Sequence, residues 1–164
     1  STPSQRPTGN ALPDGFRLHE DPTGFTIAVP EGWSRPEKQG TSVFFRPPDR
    51  RGYIQVDQTD DPNDSALEDW QRYAPQARGR FPGYSEIKIS PVTQGEPISD
   101  PDGDDAADWE WTYNSSSGRM HALNRGFVMN DTGYAILLVA PDDNWDQTLR
   151  EMAPIYEFFT PKED

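Results

Sequence analysis

Three strand-like segments joined by turns too short for a parallel crossover constrain this chain most. Ala107, Trp109, Trp111 and Tyr113 fall on one side of an extended segment, with Asp108, Glu110 and Thr112 on the other. That alternation is the period-two signature of a β-strand. Asn114-Ser-Ser-Ser-Gly118 leads into a second extended stretch, residues 119–130, and Asn130-Asp-Thr-Gly133 leads into a third, residues 134–140. Short polar links containing Gly make hairpins, whereas a parallel crossover takes about a dozen residues or more. The three segments therefore form an antiparallel meander. Residues 134–140 are apolar throughout, as a strand covered on both faces requires, which puts that strand in the middle of the sheet. Gly126 interrupts the second segment and predicts a bulge or bend.

Upstream, Phe25, Ile27 and Val29 alternate through residues 24–30. Residues 42–46 and 53–59 flank Pro47-Pro-Asp-Arg-Arg-Gly52 and form a hairpin, and residues 84–92 make a further strand centred on Ile87 and Ile89. Two helices interrupt the strands. Ser65-Ala-Leu-Glu68 has the spacing of a capping box, followed by the stripe Leu67, Trp70, Ala74, Ala77 and Phe81 at steps of three and four. The second helix opens at Asp142 or Asp143 as N-cap and carries Trp145, Leu149, Met152, Tyr156 and Phe159. Pro75 and Pro154 should kink or break them. Strands clustered in sequence with few helices between them predict an α+β fold, an antiparallel sheet of about six to seven strands flanked by helices. Residues 1–13, with three prolines and no apolar periodicity, read as a flexible linker. Residues 14–164 read as a single domain whose compact part ends near Pro161.

Composition narrows the functions available. Hydrophobic residues make up only 32%, but five Trp, six Tyr and eight Phe supply large buried surfaces. A formal charge of −13 repels phosphate backbones and anionic lipid, which argues against nucleic acid as a partner. The densest basic run, Arg46 to Arg51, is a hairpin tip. The absence of cysteine removes disulfides and thiol chemistry. Arg outnumbers Lys twelve to three, a bias common in GC-rich genomes.

Nucleophilic catalysis needs a base beside a nucleophile, and neither His19 nor His121 lies near a nucleophile elbow. His121, among Met120, Ala122 and Leu123, reads as structural. No catalytic or cofactor-binding residue is assigned. Asp100, Asp102, Asp104 and Asp108 follow positions 1, 3, 5 and 9 of a calcium loop, but Asp105 replaces the turn glycine and Trp111 the bidentate glutamate. Asp108 and Glu110 also fall on the outward side of a strand, so a solvated acidic turn is the favoured reading. Asp57, Asp60, Asp61 and Asp64 read as turn and capping residues ahead of the first helix. Trp70, Trp109, Trp111 and Trp145 lie on buried stripes, whereas Trp33, in a turn at a strand end, is the aromatic assigned to binding.

Three blocks together resemble a known family: Asp21-Pro-Thr-Gly-Phe-Thr-Ile-Ala-Val-Pro-Glu-Gly-Trp33, Ala106-Ala-Asp-Trp-Glu-Trp-Thr-Tyr113 and Gly133-Tyr-Ala-Ile-Leu-Leu-Val-Ala-Pro-Asp-Asp-Asn-Trp145. They are similar to the C-terminal extracytoplasmic domains of actinobacterial receptor-type serine/threonine protein kinases. The resemblance implies a PsbP-like α/β/α sandwich and a non-catalytic sensor domain outside the cell. It also implies a membrane-anchored, single-pass parent chain whose kinase machinery lies elsewhere. It transfers no catalytic or ligand residue. A small ligand, a protein partner or a second copy forming a homodimer are the partners it allows. A free-standing PsbP-like lipoprotein docking on a larger complex is the alternative, and a calcium-binding module a further one.

Overall fold

The structure, a computed structural model, describes residues 11–99 and 105–163. A seven-stranded sheet runs β3-β4-β5-β9-β8-β7-β6, each neighbour antiparallel to the next. Its strands are β3 (Glu37–Gln39), β4 (Ser42–Phe45), β5 (Tyr53–Thr59), β6 (Ser85–Pro91), β7 (Ala106–Ser115), β8 (Gly118–Met129) and β9 (Thr132–Pro141). The meander β7-β8-β9 and the β4-β5 hairpin follow the sequence pattern, and β9 is the central strand. Ile136 and Leu138 have no exposed surface, and burying such side chains stabilises by about 1.5–3 kcal/mol each.

The earliest strands depart from expectation. Residues 24–30 do not enter the main sheet: β2 (Thr26–Pro30) pairs with β1 (Phe16–Glu20) in a separate two-stranded ribbon. This ribbon lies on one face beside α2 (Trp145–Glu151) and α3 (Pro154–Glu157), with Thr26 bridged to Thr160. β1 escapes the sequence pattern because its Leu18 faces outward, 46% exposed. The Asp21-Pro-Thr-Gly24 turn is held by Asp21, whose carboxylate accepts from the Thr23 hydroxyl and the Thr23 amide. The Arg17 guanidinium donates to the carbonyls of Pro30, Glu31 and Ser34, clamping the second turn.

α1 (Ala66–Ala77) packs on the opposite face, against β7, β6 and β8. Ser65 caps it by accepting from the Glu68 amide. Pro75 does not break α1, which continues through it to Ala77. Pro154 does coincide with a break and occupies the first turn of α3. Asp142 and Asp143 are not caps: the chain passes through a 3-10 turn, Asp142–Asn144, with no side-chain cap bond.

Gly126 makes no bulge, since β8 keeps its register with both neighbours through it. The irregularity lies at Ile87 in β6, between Glu86 and Lys88, and leaves Ile87 49% exposed. Gly126 is required by packing, because a Cβ there would lie 2.7 Å from the Trp70 indole. Gly126→Ala should therefore destabilise the fold by about 1–3 kcal/mol in urea unfolding. Unchanged stability would mean that Trp70 does not press on this strand.

Candidate functional site

α1 spans only part of its sheet face. Its partners are β6, β7 and β8, so the face formed by β9 and β5 is left beside the helix as a trough. Pairing aligns Trp109, Asn124, Leu137, Gln55 and Phe44 in one row across five strands. The next row runs Ala107, Gly126, Ala135, Asp57 and Ser42. One cleft of about 420 Å³ is floored by Trp109, Trp111, Asn124 and Leu137 and walled by Trp70, Tyr73 and Phe81, with Gln55, Asp57 and Arg80 among its polar residues. A second, of about 320 Å³, continues it past Asp61 and Asn63 toward Gly133. The two share Asp57, Trp70, Tyr73 and Ala135 and so form one groove.

The indoles fill the interior and shape this groove at once. Trp70, Trp109 and Trp111 are buried as expected, yet each also lines the trough. Trp70 Nε1 donates to the Ala107 carbonyl at 2.9 Å, and Trp109 Nε1 to the Tyr84 hydroxyl at 3.0 Å. Trp111 Nε1 and Asn124 Oδ1 are buried without a hydrogen-bond partner among the described residues. Tyr73 stands on the rim, 42% exposed. Asp57 accepts from the Thr41 hydroxyl at 2.6 Å and from the Gln58 amide at 3.0 Å.

The opposite face carries a buried polar layer that the sequence placed in solvent. Asp108 is 4% exposed, and its two oxygens take the Arg125 guanidinium in a bidentate pair at 2.8 and 2.9 Å. Burial disfavours the Arg125 charge, but Asp108 outweighs it and raises the group's pKa above its ordinary value. Arg125 also donates to the Pro97 carbonyl and lies 4.6 Å from the centroid of the Tyr156 ring. Nearby, His121 Nδ1 lies 2.8 Å from Asp142 Oδ1 and Nε2 lies 2.5 Å from Glu110 Oε2, while the ring stacks on Trp145 at 3.9 Å. Both ring nitrogens are engaged by carboxylates, which leaves neither for a nucleophile's proton. The cluster joins β7, β8 and the 3-10 turn and holds α2 to the sheet. His19 is tied likewise, with Nε2 2.9 Å from Asp21 Oδ1.

Of the calcium candidates, Asp100, Asp102 and Asp104 lie outside the described residues, and Asp108 is not on the outward face but committed to Arg125. The sequence misjudged that face because alternation marks two sides of a strand without saying whether the polar side is covered. Among the described residues no group of three or more His, Asp or Glu could hold a metal. Asp60 accepts from Lys162 Nζ at 2.6 Å, and Asp61 borders the trough. Trp33 is half-buried, packed against the core on the ribbon side, away from the trough. Asn124 and Gln55 gave no sequence signal, being single polar residues on strands, although strand pairing brings them into line.

The family described as serine/threonine kinase C-terminal domain matches residues 17–161. The chain belongs to this family. It is a non-kinase, C-terminal domain with the PsbP-like fold. Cyanobacterial PsbP from Synechocystis is similar at 15% identity, over 94% of this chain and 99% of that one, with a TM-score of 0.61. A putative regulator from Pseudomonas aeruginosa is similar at 11% identity, over 91% of this chain and 99% of that one, with a TM-score of 0.56. The Ran-binding protein Mog1p of Saccharomyces cerevisiae is similar at 14% identity, over 85% of this chain and 84% of that one, with a TM-score of 0.52. At these identities the likeness shows the fold alone. No curated protein matches the sequence.

Two outcomes test the polar layer. Asp108→Asn leaves a buried guanidinium unpaired and should cost about 3–5 kcal/mol in chemical denaturation, whereas Asp108→Leu with Arg125→Met should recover most of it. A single variant as stable as the parent would mean that the pair is solvated. Tyr156 is buried and its hydroxyl has no partner among the described residues, and burial holds its pKa above the ordinary value. Native and unfolded phenols are both neutral below about pH 10. As pH rises further the unfolded state releases its proton first, so stability falls toward the native value. Tyr156→Phe should be neutral or stabilising by up to about 1 kcal/mol at pH 7 and should flatten that alkaline decline. A steeper decline would contradict this account.

Proposed function

We propose that the chain is the sensing domain of a receptor-type serine/threonine protein kinase, displayed outside the cell and not itself catalytic. The trough beside α1 is where a ligand or protein partner engages. The observation that carries this reading is the trough itself: aromatic rings, Asp57, Arg80 and the amides of Gln55 and Asn124 converge on one open groove. Both histidines are bound to carboxylates and stand outside it. That arrangement has recognition chemistry without a nucleophile–base pair.

Membership of the kinase C-terminal family supports placing the phosphoryl-transfer machinery in another domain of the parent. Among the described residues no helix is long and apolar enough to cross a membrane, so the single-pass anchor would belong to another part of the parent chain. The proline-rich residues 1–13 would be the tether to it. A ligand shifts the arrangement of tethered kinase domains only by its differential affinity for two states, and an open groove can supply that difference by closing on its occupant.

The test uses the membrane-bound parent in intact cells. Protease added outside should remove this domain and leave the kinase domain whole; full protection would refute the display outside the cell. Tyr73→Ala combined with Asp57→Asn should change autophosphorylation at least about twofold, a difference of about 0.4 kcal/mol. Glu151→Gln, on the other face, should leave it unchanged. No response to the trough variant, in a parent whose autophosphorylation responds to its growth conditions, would remove the trough from signalling.

A further inference from the structure

The trough is not uniform along its length. Asp57, where the two clefts meet, and Asp61, along the second cleft, border it, and neither has a cationic partner among the described residues. Other carboxylates nearby do have one: Asp69 takes Arg72 at 2.9 Å, Asp60 takes Lys162, and Glu37 takes Arg46. At the far end the one basic group among the described residues is Arg80, whose guanidinium lies 5.6 Å from the centroid of the Phe81 ring. Amide side chains of Gln55, Gln76 and Asn124 line the first cleft between them.

The rings where the clefts meet are arranged to receive positive charge. Trp70 and Tyr73 meet at 6.2 Å and 62°, so together they present two inclined surfaces. A cation within about 6 Å of an aromatic face is attracted by the ring's negative quadrupole, and more so where water is partly excluded. This chain already uses its rings in that way: Arg72 lies 6.0 Å from the Tyr73 centroid, and Arg46 lies 5.3 and 5.6 Å from Phe44 and Tyr53. Two unneutralised carboxylates beside such rings complement an ammonium or guanidinium, and the net charge of −13 raises the local concentration of cations.

Length decides how that cation is presented. The trough follows β5 from Gln55 to Thr59, four steps or about 13 Å at the usual strand rise. That span matches an extended peptide of about five residues in contact, whose backbone amides can meet the amide side chains of the first cleft and whose apolar side chains can meet Leu137 and Ala135. Resting on the recognition reading above, we propose that the trough binds an extended basic peptide segment, seating a lysine or arginine side chain against Trp70 and Tyr73 with Asp57 and Asp61 as counter-charges.

The test titrates this chain with a capped hexapeptide carrying two lysines, and with its glutamine and glutamate analogues, at low salt. The lysine peptide should bind saturably and the glutamine analogue about tenfold more weakly, with the glutamate analogue not binding. Asp57→Asn and Tyr73→Ala should each weaken the lysine peptide about fivefold, whereas Asp146→Asn, equal in charge change and on the other face, should not. If Asp57→Asn fails to fold, Asp61→Asn in the preceding loop of α1 serves in its place. Equal weakening by Asp57→Asn and Asp146→Asn would reduce binding to the general field and overturn the proposal. Binding of the glutamine or glutamate analogue as tightly as the lysine peptide, and sensitive to Tyr73→Ala, would overturn the cationic assignment while leaving the recognition reading intact. No saturable binding of the lysine peptide would also overturn it, and the recognition reading would then stand or fall on the autophosphorylation result.

Discussion

Every other feature of this domain depends on the central strands being covered on both faces by unlike layers. On one side of β7, Trp109 and Trp111 pack under α1; on the other, Asp108 is closed off by Arg125 and the Tyr156 ring. A buried carboxylate would be a liability without its bidentate partner, because desolvating an unpaired charge costs several kcal/mol. The pair therefore makes the second layer possible. It also fixes the chain leading out of β6, through the bond from Arg125 to the Pro97 carbonyl.

The two layers differ in how completely they cover the sheet, and the groove follows from the difference. The ribbon β1-β2 with α2 and α3 closes one face around Phe25, Ile27, Phe45 and Phe159. α1 is twelve residues long, about 18 Å at helical rise, and lies over the β6-β7-β8 side. The uncovered β9 and β5 columns become a groove because large rings stand at its margin. Sheet edges offer less. β3 has three residues, and β6 carries Glu86, Lys88, a bulge and Pro91, devices that discourage strand addition. The open surface of the sheet is thereby a face rather than an edge.

Much of this architecture was legible because it rests on local periodicity. The alternation through Trp109, Trp111 and Tyr113, the apolar run of β9 and the short turns dictated the antiparallel meander, and Ser65 announced the start of α1. The ribbon was not legible, since five residues with Leu18 facing solvent leave no clear alternation, and period two cannot say which partner a strand takes. The candidate site was only half legible: the indoles could be placed on a buried stripe, but not the groove they border. Asn124, Gln55 and Asp57 lie far apart in sequence and become neighbours only through strand register.

By itself, the sequence determined the secondary structure of the meander, the aromatic nature of the interior and the family of the chain, because these follow from residue type at short spacing. Tertiary structure alone decided which polar side chains are covered and where a face stays open. Asp108 and Asp57 are the same residue on the same kind of element. One is sealed against Arg125 and the other left beside a trough, because cover is supplied by segments distant along the chain, whose placement no local pattern encodes.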